Sequence, residues 1–283
     1  MSGTPIEFAA RDGLRLAGTL YRPRTPNRRA VLFQAAAGVK QEYYGKFAAY
    51  LATRGFAALT FDYRGIGRSR PAGSLRGFRA TMRDWAEKDI AGALDHLQRA
   101  SQGARLIGIG HSFGGQAFGL VPGNERYVAA LTFGSQSGYW GHWAGSGRIG
   151  MWFLTHVFLP GVSRLSGYCP SRRFGQGEDL PKGVAIEWAS WCRHPGYVVG
   201  KLHAQEAYAK FKAPIRAYVA TDDSYAPARA AQAFLEFYPG ATRRLMPVEP
   251  QAAGGEPIGH FGYFRERFQE SLWKDAADWL ANA

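Results

Sequence analysis

Ser112 is the residue around which chemistry can be built. It stands in Gly110-His111-Ser112-Phe113-Gly114-Gly115, directly after the apolar run Leu106-Ile107-Gly108-Ile109. A G-x-S-x-G segment between a strand and a helix folds into a sharp elbow. The turn closes only if the flanking residues are small, which Gly110 and Gly114 satisfy. The elbow lifts the serine hydroxyl above the strand end, at a helix N-terminus. There, free amides and the helix dipole favour developing negative charge. A chain with 36 glycines can match this pattern by chance. The strand before and the helix after carry the reading.

A serine hydroxyl needs a base to attack at neutral pH. In elbow proteins the order along the chain is serine, acid, histidine. Of seven histidines, His96 and His111 precede the serine. His142, His156, His194 and His203 fall within or beside a long inserted stretch. His260 follows the last expected strand, in Pro257-Ile258-Gly259-His260-Phe261-Gly262, and is the expected base.

The acid should end the strand at 215–220, which runs into Thr221-Asp222-Asp223-Ser224-Tyr225-Ala226-Pro227. Two carboxylates compete. Asp223, four residues before Pro227, has the D-x-x-x-P spacing familiar at this place and is favoured. Asp222 is then expected to cap the following helix. The acid would hold the imidazole tautomer and stabilise the imidazolium. The loop after the preceding strand, Gly134-Ser135-Gln136-Ser137-Gly138, carries no carboxylate.

An oxyanion hole needs two amides aimed at one point. The Phe113 N–H is one. The other should come from Gln34-Ala35-Ala36-Ala37-Gly38-Val39, and Ala37 is expected by position. Gly65-Ile66-Gly67-Arg68-Ser69 resembles a piece of a phosphate loop. It lacks the third glycine and the lysine of the nucleotide motifs, so it reads as the loop after a strand. No His, Cys, Asp or Glu set has metal-ligand spacing, and neither Cys169 nor Cys192 sits in a C-x-x-C pair. No metal and no cofactor are expected.

The elements that must position these residues follow from periodicity. Residues 31–33, 57–61, 106–109, 129–133 and 215–220 are short apolar runs, as expected of strands covered on both faces. Helical spacing links Tyr44, Phe47, Ala48 and Leu51, then Met82, Trp85, Ile90, Ala93, Leu94 and Leu97, and finally Phe268, Leu272, Ala276, Trp279 and Leu280. The alternation predicts an α/β fold with a mostly parallel sheet and helices on both faces. Around Arg11-Asp12-Gly13 the pattern turns to period two, which predicts an antiparallel hairpin at a sheet edge.

The stretch 139–210 is too long for a crossover loop. It holds five of the eight tryptophans. It is read as an inserted helical cap, or lid, on a core formed by 1–138 and 211–283. Trp140, Trp143 and Trp152 are candidates to line an apolar acyl pocket.

Length and composition set bounds. With 283 residues, 46% hydrophobic, the chain can bury a large core in one or two domains, and disorder is excluded. The net charge of +13 raises the question of nucleic acid. The arginines are spread along the chain without a nucleic-acid motif, so no nucleic-acid partner is expected. The charge still admits an attraction for anionic substrates or membranes. No segment is long and apolar enough to span a bilayer, and the first residues show no signal-peptide pattern. A cytoplasmic protein is the expectation.

The chain resembles the α/β-hydrolase fold over nearly its full length. More narrowly, it is similar to a bacterial group of predicted α/β hydrolases allied to the serine aminopeptidase-like hydrolases. Beyond the elbow, the segments that carry this are 36–44, Thr60-Phe61-Asp62-Tyr63-Arg64-Gly65-Ile66-Gly67-Arg68-Ser69, Ser137-Gly138-Tyr139-Trp140, Thr221-Asp222-Asp223 and Ile258-Gly259-His260-Phe261-Gly262. The resemblance implies a Ser112–His260–Asp223 triad and acyl transfer without a cofactor. The first expectation is an esterase acting on a small-molecule acyl substrate. An acyltransferase or thioesterase with the same triad is the alternative. A non-catalytic ligand-binding protein on this fold is the third, and a complete triad argues against it.

Overall fold

The computed structural model describes residues 3–175 and 177–283. Eight strands form the central sheet: β1 (Thr4–Ala9), β2 (Arg15–Tyr21), β3 (Arg29–Gln34), β4 (Ala57–Phe61), β5 (Arg105–His111), β6 (Tyr127–Phe133), β9 (Ile215–Ala220) and β10 (Arg243–Val248). The two remaining strands, β7 (Tyr168–Cys169) and β8 (Leu180–Pro181), pair antiparallel on their own. The sheet order is β1-β2-β4-β3-β5-β6-β9-β10. From β4 to β10 all neighbours run parallel. β1 and β2 form the expected hairpin, Thr4 facing Leu20 and Ala9 facing Arg15, and β2 joins β4 antiparallel.

Strand alternation separates the two helical layers. On β5, the His111 ring meets Tyr44 and Phe264, on the side of the helix Gly45–Thr53 and the C-terminal segments. Gly108 faces the other way, where an added Cβ would lie 2.2 Å from the Phe118 ring. Trp85 and Phe113 meet on that second face, so the helical stretch from Met82 to Ala100 packs there. β3 through β6 and β9 are almost wholly buried, which accounts for their unbroken apolar runs.

β10 lies outside the strands expected from sequence. Arg243, Arg244 and Pro247 interrupt its apolar run, and it sits at the sheet edge, where exposed residues and proline are tolerated.

The loops after β3 and β4 are locked together behind the site. The Asp62 carboxylate accepts from the Gln41 amide at 2.9 Å, from its side chain at 2.9 Å, and from the Arg68 amide at 3.0 Å. Gly67 is required there, since a Cβ would fall 2.6 Å from that carboxylate. The segment 65–69 is therefore scaffold, as the missing motif residues implied. Next to it, Arg64 is buried and bonds Asp89 and Asp12.

The connection from β6 to β9 is long and largely helical. Its helices are Gly145–Phe153, Leu159–Ser166, Lys182–Cys192, Tyr197–Lys201 and Gln205–Ala209. The first two are joined by a wide turn of five residues, Leu154–Phe158, directly before Leu159-Pro160. Proline removes an amide and crowds the preceding turn, which explains the widening. The later helices are anchored to the elbow. Tyr197 donates to the Gln116 side chain at 2.9 Å, and Tyr208 to its carbonyl at 2.7 Å.

Candidate active site

Ser112 has φ 50° and ψ −114°, a left-handed backbone that costs a non-glycine residue about 1–3 kcal/mol. The surroundings hold it there. Its amide donates to the Phe133 carbonyl at 2.9 Å, and its carbonyl accepts from the Ser135 hydroxyl at 2.9 Å. The glycines of the motif are required by space. A Cβ on Gly114 would sit 1.9 Å from the Gln34 carbonyl oxygen, and one on Gly110 would sit 2.4 Å from the Gly115 nitrogen.

His260 is buried and pairs through Nδ1 with Asp223 Oδ2 at 2.8 Å. Asp223 Oδ1 accepts from the amides of Tyr225 at 2.9 Å and Ala226 at 3.1 Å. With a carboxylate facing Nδ1, that nitrogen carries the proton and Nε2 is left as the acceptor. Ser112 and His260 line one cavity of about 170 Å³. The structure thus places Ser112 and His260 on one cavity and Asp223 against His260 Nδ1.

Asp222 differs from expectation. It caps no helix; its two oxygens accept from the amides of Ile258 and Gly259, each at 2.9 Å. Adjacent carboxylates therefore hold the histidine loop by backbone and by side chain. Sequence gives no signal for the backbone half, because the amides it meets lie 36 and 37 residues away in an irregular loop.

A buried relay joins the oxyanion loop to the histidine loop. The Ala36 amide donates to the Tyr44 hydroxyl at 2.9 Å, Tyr44 donates to His111 Nδ1 at 2.9 Å, and His111 Nε2 donates to the His260 carbonyl at 2.9 Å. The carbonyl acceptor and the hydroxyl donor assign this tautomer. Burial pushes the His111 pKa well below its ordinary value, and the neighbouring His260 adds to the effect. Because Ala36 spends its amide on Tyr44, Ala37 is the next amide along the loop, and it lines the Ser112 cavity. Phe113 is the first residue of the short elbow helix, a position whose amide has no intrahelical partner. The sequence marks Tyr44 only as a helix-face residue and gives no sign of its link to His111.

The tryptophan expectation is corrected. The cavity wall takes Trp188, with Leu154, Phe158, Leu159, Phe174 and Leu180. Trp140 and Trp152 line a separate outer hollow with Arg148 and Ile149, and Trp143 donates its indole N–H to the Ser224 carbonyl at 3.0 Å. Aromatic density marks the insertion but does not say which side of a helix faces inward. Cys169 also lines the cavity. Burial raises its thiol pKa, and the thiolate is the nucleophilic form, so it does not rival Ser112.

Residues 32–267 match the family model described as the alpha/beta hydrolase family. The chain belongs to that family. No curated protein matches its sequence. Among solved alpha/beta hydrolase structures, a soluble variant of monoglyceride lipase from Saccharomyces cerevisiae has a TM-score of 0.74 at 14% identity, covering 99% of this chain and 95% of that one. An esterase domain from Rhodothermus marinus has a TM-score of 0.62 at 15% identity, covering 100% and 99%. A monoacylglycerol lipase from Paleococcus ferrophilus has a TM-score of 0.63 at 15% identity, covering 94% and 98%. At these identities the likeness is one of fold.

Proposed function

We propose that this alpha/beta hydrolase cleaves carboxylic esters with an apolar acyl group by two-step acyl transfer. Ser112 attacks the carbonyl while His260 Nε2 takes its proton. Asp223 orients the imidazole and stabilises the imidazolium. The Phe113 and Ala37 amides hold the oxyanion. His260 then protonates the leaving group, and water releases the acyl enzyme. The observation that carries this reading is the strained Ser112 sharing one cavity with a histidine held by a buried carboxylate at 2.8 Å. Residues 139–210 serve as a cap on a core of 1–138 and 211–283, and the apolar wall they supply favours an acyl chain. The test is hydrolysis of p-nitrophenyl esters from acetyl to palmitoyl by wild type and Ser112→Ala, with fluorophosphonate labelling of both. Labelling that persists in Ser112→Ala would sink the assignment. A labelled wild type that hydrolyses no ester would move the reading to an alcohol or thiol acceptor.

A further inference from the structure

The outer side of the insertion is unlike the rest of the surface. Among the described residues nine large hydrophobic side chains are exposed, and six of them lie between 149 and 174. The helix Gly145–Phe153 buries none of its residues. Trp152, Phe153 and Val157 follow Ile149 by three, four and eight residues, at helical spacing, and the four are 71% (Ile149), 43% (Trp152), 51% (Phe153) and 46% (Val157) exposed. A helix in water normally turns such a stripe toward a core. Here the inward side is already supplied by Leu154, Phe158 and Leu159, which wall the Ser112 cavity.

Charge selects the partner. Residues 139–177 contain Arg148, Arg164, Arg172 and Arg173 and not one aspartate or glutamate. Arg172 pairs with Glu178, whereas the Arg148 guanidinium lies 5.0 Å from the Trp140 ring, beside the apolar stripe. Tryptophan, isoleucine and phenylalanine rimmed by arginine is the composition of a helix lying in a bilayer interface. A second copy of the chain fits poorly. A two-fold contact would set these arginines against themselves, with no carboxylate in the segment to meet them. No helix among the described residues is long and apolar enough to cross a membrane, so the contact is one of lying on the surface.

We propose that this face of the insertion docks on an anionic lipid surface, with Ile149, Trp152, Phe153 and Val157 in the interface and the arginines at the headgroups. The proposal is independent of the ester chemistry, because binding is read without turnover. The experiment is co-sedimentation of the full chain with vesicles of phosphatidylcholine alone and of equal parts phosphatidylcholine and phosphatidylglycerol. Wild type is expected to partition into the anionic vesicles at least about tenfold more strongly, and to be released by high salt. Ile149→Glu with Phe153→Glu is expected to lose about tenfold or more of that partitioning. Both side chains lie outside the Ser112 cavity, and circular dichroism melting checks that the double variant stays folded. Equal partitioning of variant and wild type would overturn the proposal, as would wild type that pellets with neither vesicle. A wild-type dimer in sedimentation equilibrium that becomes monomeric in the variant would also overturn it and give the face to a second copy.

Discussion

At the scale of residues, Asp222 and Asp223 make a natural experiment, since two neighbours accept hydrogen bonds for different ends of one loop. Asp223→Asn presents an amide to His260 Nδ1 and reverses the tautomer, so kcat should fall by about 10⁴-fold. Asp222→Asn loses one backbone acceptor and leaves the tautomer alone, so its loss should stay within about 10²-fold, roughly the cost of a misplaced group. Steady-state kinetics of the two variants on one ester decides it; equal losses would undo the division of roles. The pair also marks how far sequence could be read. The D-x-x-x-P spacing favours Asp223, but only the folded loop assigns work to Asp222. His111 gives a second prediction. Its folded pKa is depressed by burial, so the unfolded chain takes a proton that the native state refuses. Stability is therefore intact above the unfolded value of about 6.5 and falls as pH drops below it, by at most about 1.4 kcal/mol per pH unit. Urea unfolding between pH 7.5 and pH 5, read against the unfolded pKa, should show a shallower fall in His111→Gln. Part of the slope remains, because burial lowers His96 and His142 in the same direction.

Elements are held together behind the site by buried charge. Arg64 follows β4, Asp89 lies in the helical stretch after it, and Asp12 is in the β1–β2 turn; Arg64 and Asp89 are 5% and 0% exposed. Removing one member leaves a charge buried without its partner, which costs about 3–5 kcal/mol. Asp89→Ala should lose that much in chemical denaturation. Arg64→Met with Asp89→Leu should recover most of it, because a well-packed apolar pair replaces a buried ion pair at little net cost. A double variant no better than Asp89→Ala would show that the Asp12 contact, not the buried pair, carries the energy. This network lies beyond what the sequence discloses, since 52 residues separate Asp12 from Arg64 and nothing local links them. The buried parallel strands were legible because both their faces are covered, and the hairpin because its Asp12-Gly13 turn breaks the period. β10 was hidden because an edge strand need not be apolar. Trp140, Trp143 and Trp152 lie off the cavity because aromatic content marks the insertion without saying which of its residues turn inward.

For the whole molecule, burial is distributed unevenly, and local stability should follow it. Strands β3 to β6 and β9 are buried on both faces, and the elbow is pinned from β6 by the Phe133 carbonyl and by Ser135. Opening it exposes the main core and should require the global unfolding free energy, about 5–15 kcal/mol. The helix Gly145–Phe153 buries no residue, so opening it uncovers almost no apolar surface that water does not already reach. Helices of nine residues are also marginal on propensity alone, and this one begins Gly145-Ser146-Gly147. Native-state hydrogen exchange should therefore find its amides close to the rates of an unstructured peptide, while those of β5 and β6 exchange only by global unfolding. The segment Lys182–Cys192 should fall between them and nearer the core, because Trp191 and Cys192 are fully buried. The same measurement divides the insertion. Its first helix would open on its own, and its later helices would behave as part of the body that fixes the elbow through Gln116. Uniform protection across 145–192 would instead mean that the whole insertion opens as one unit, and that access to Ser112 is governed by a single large motion.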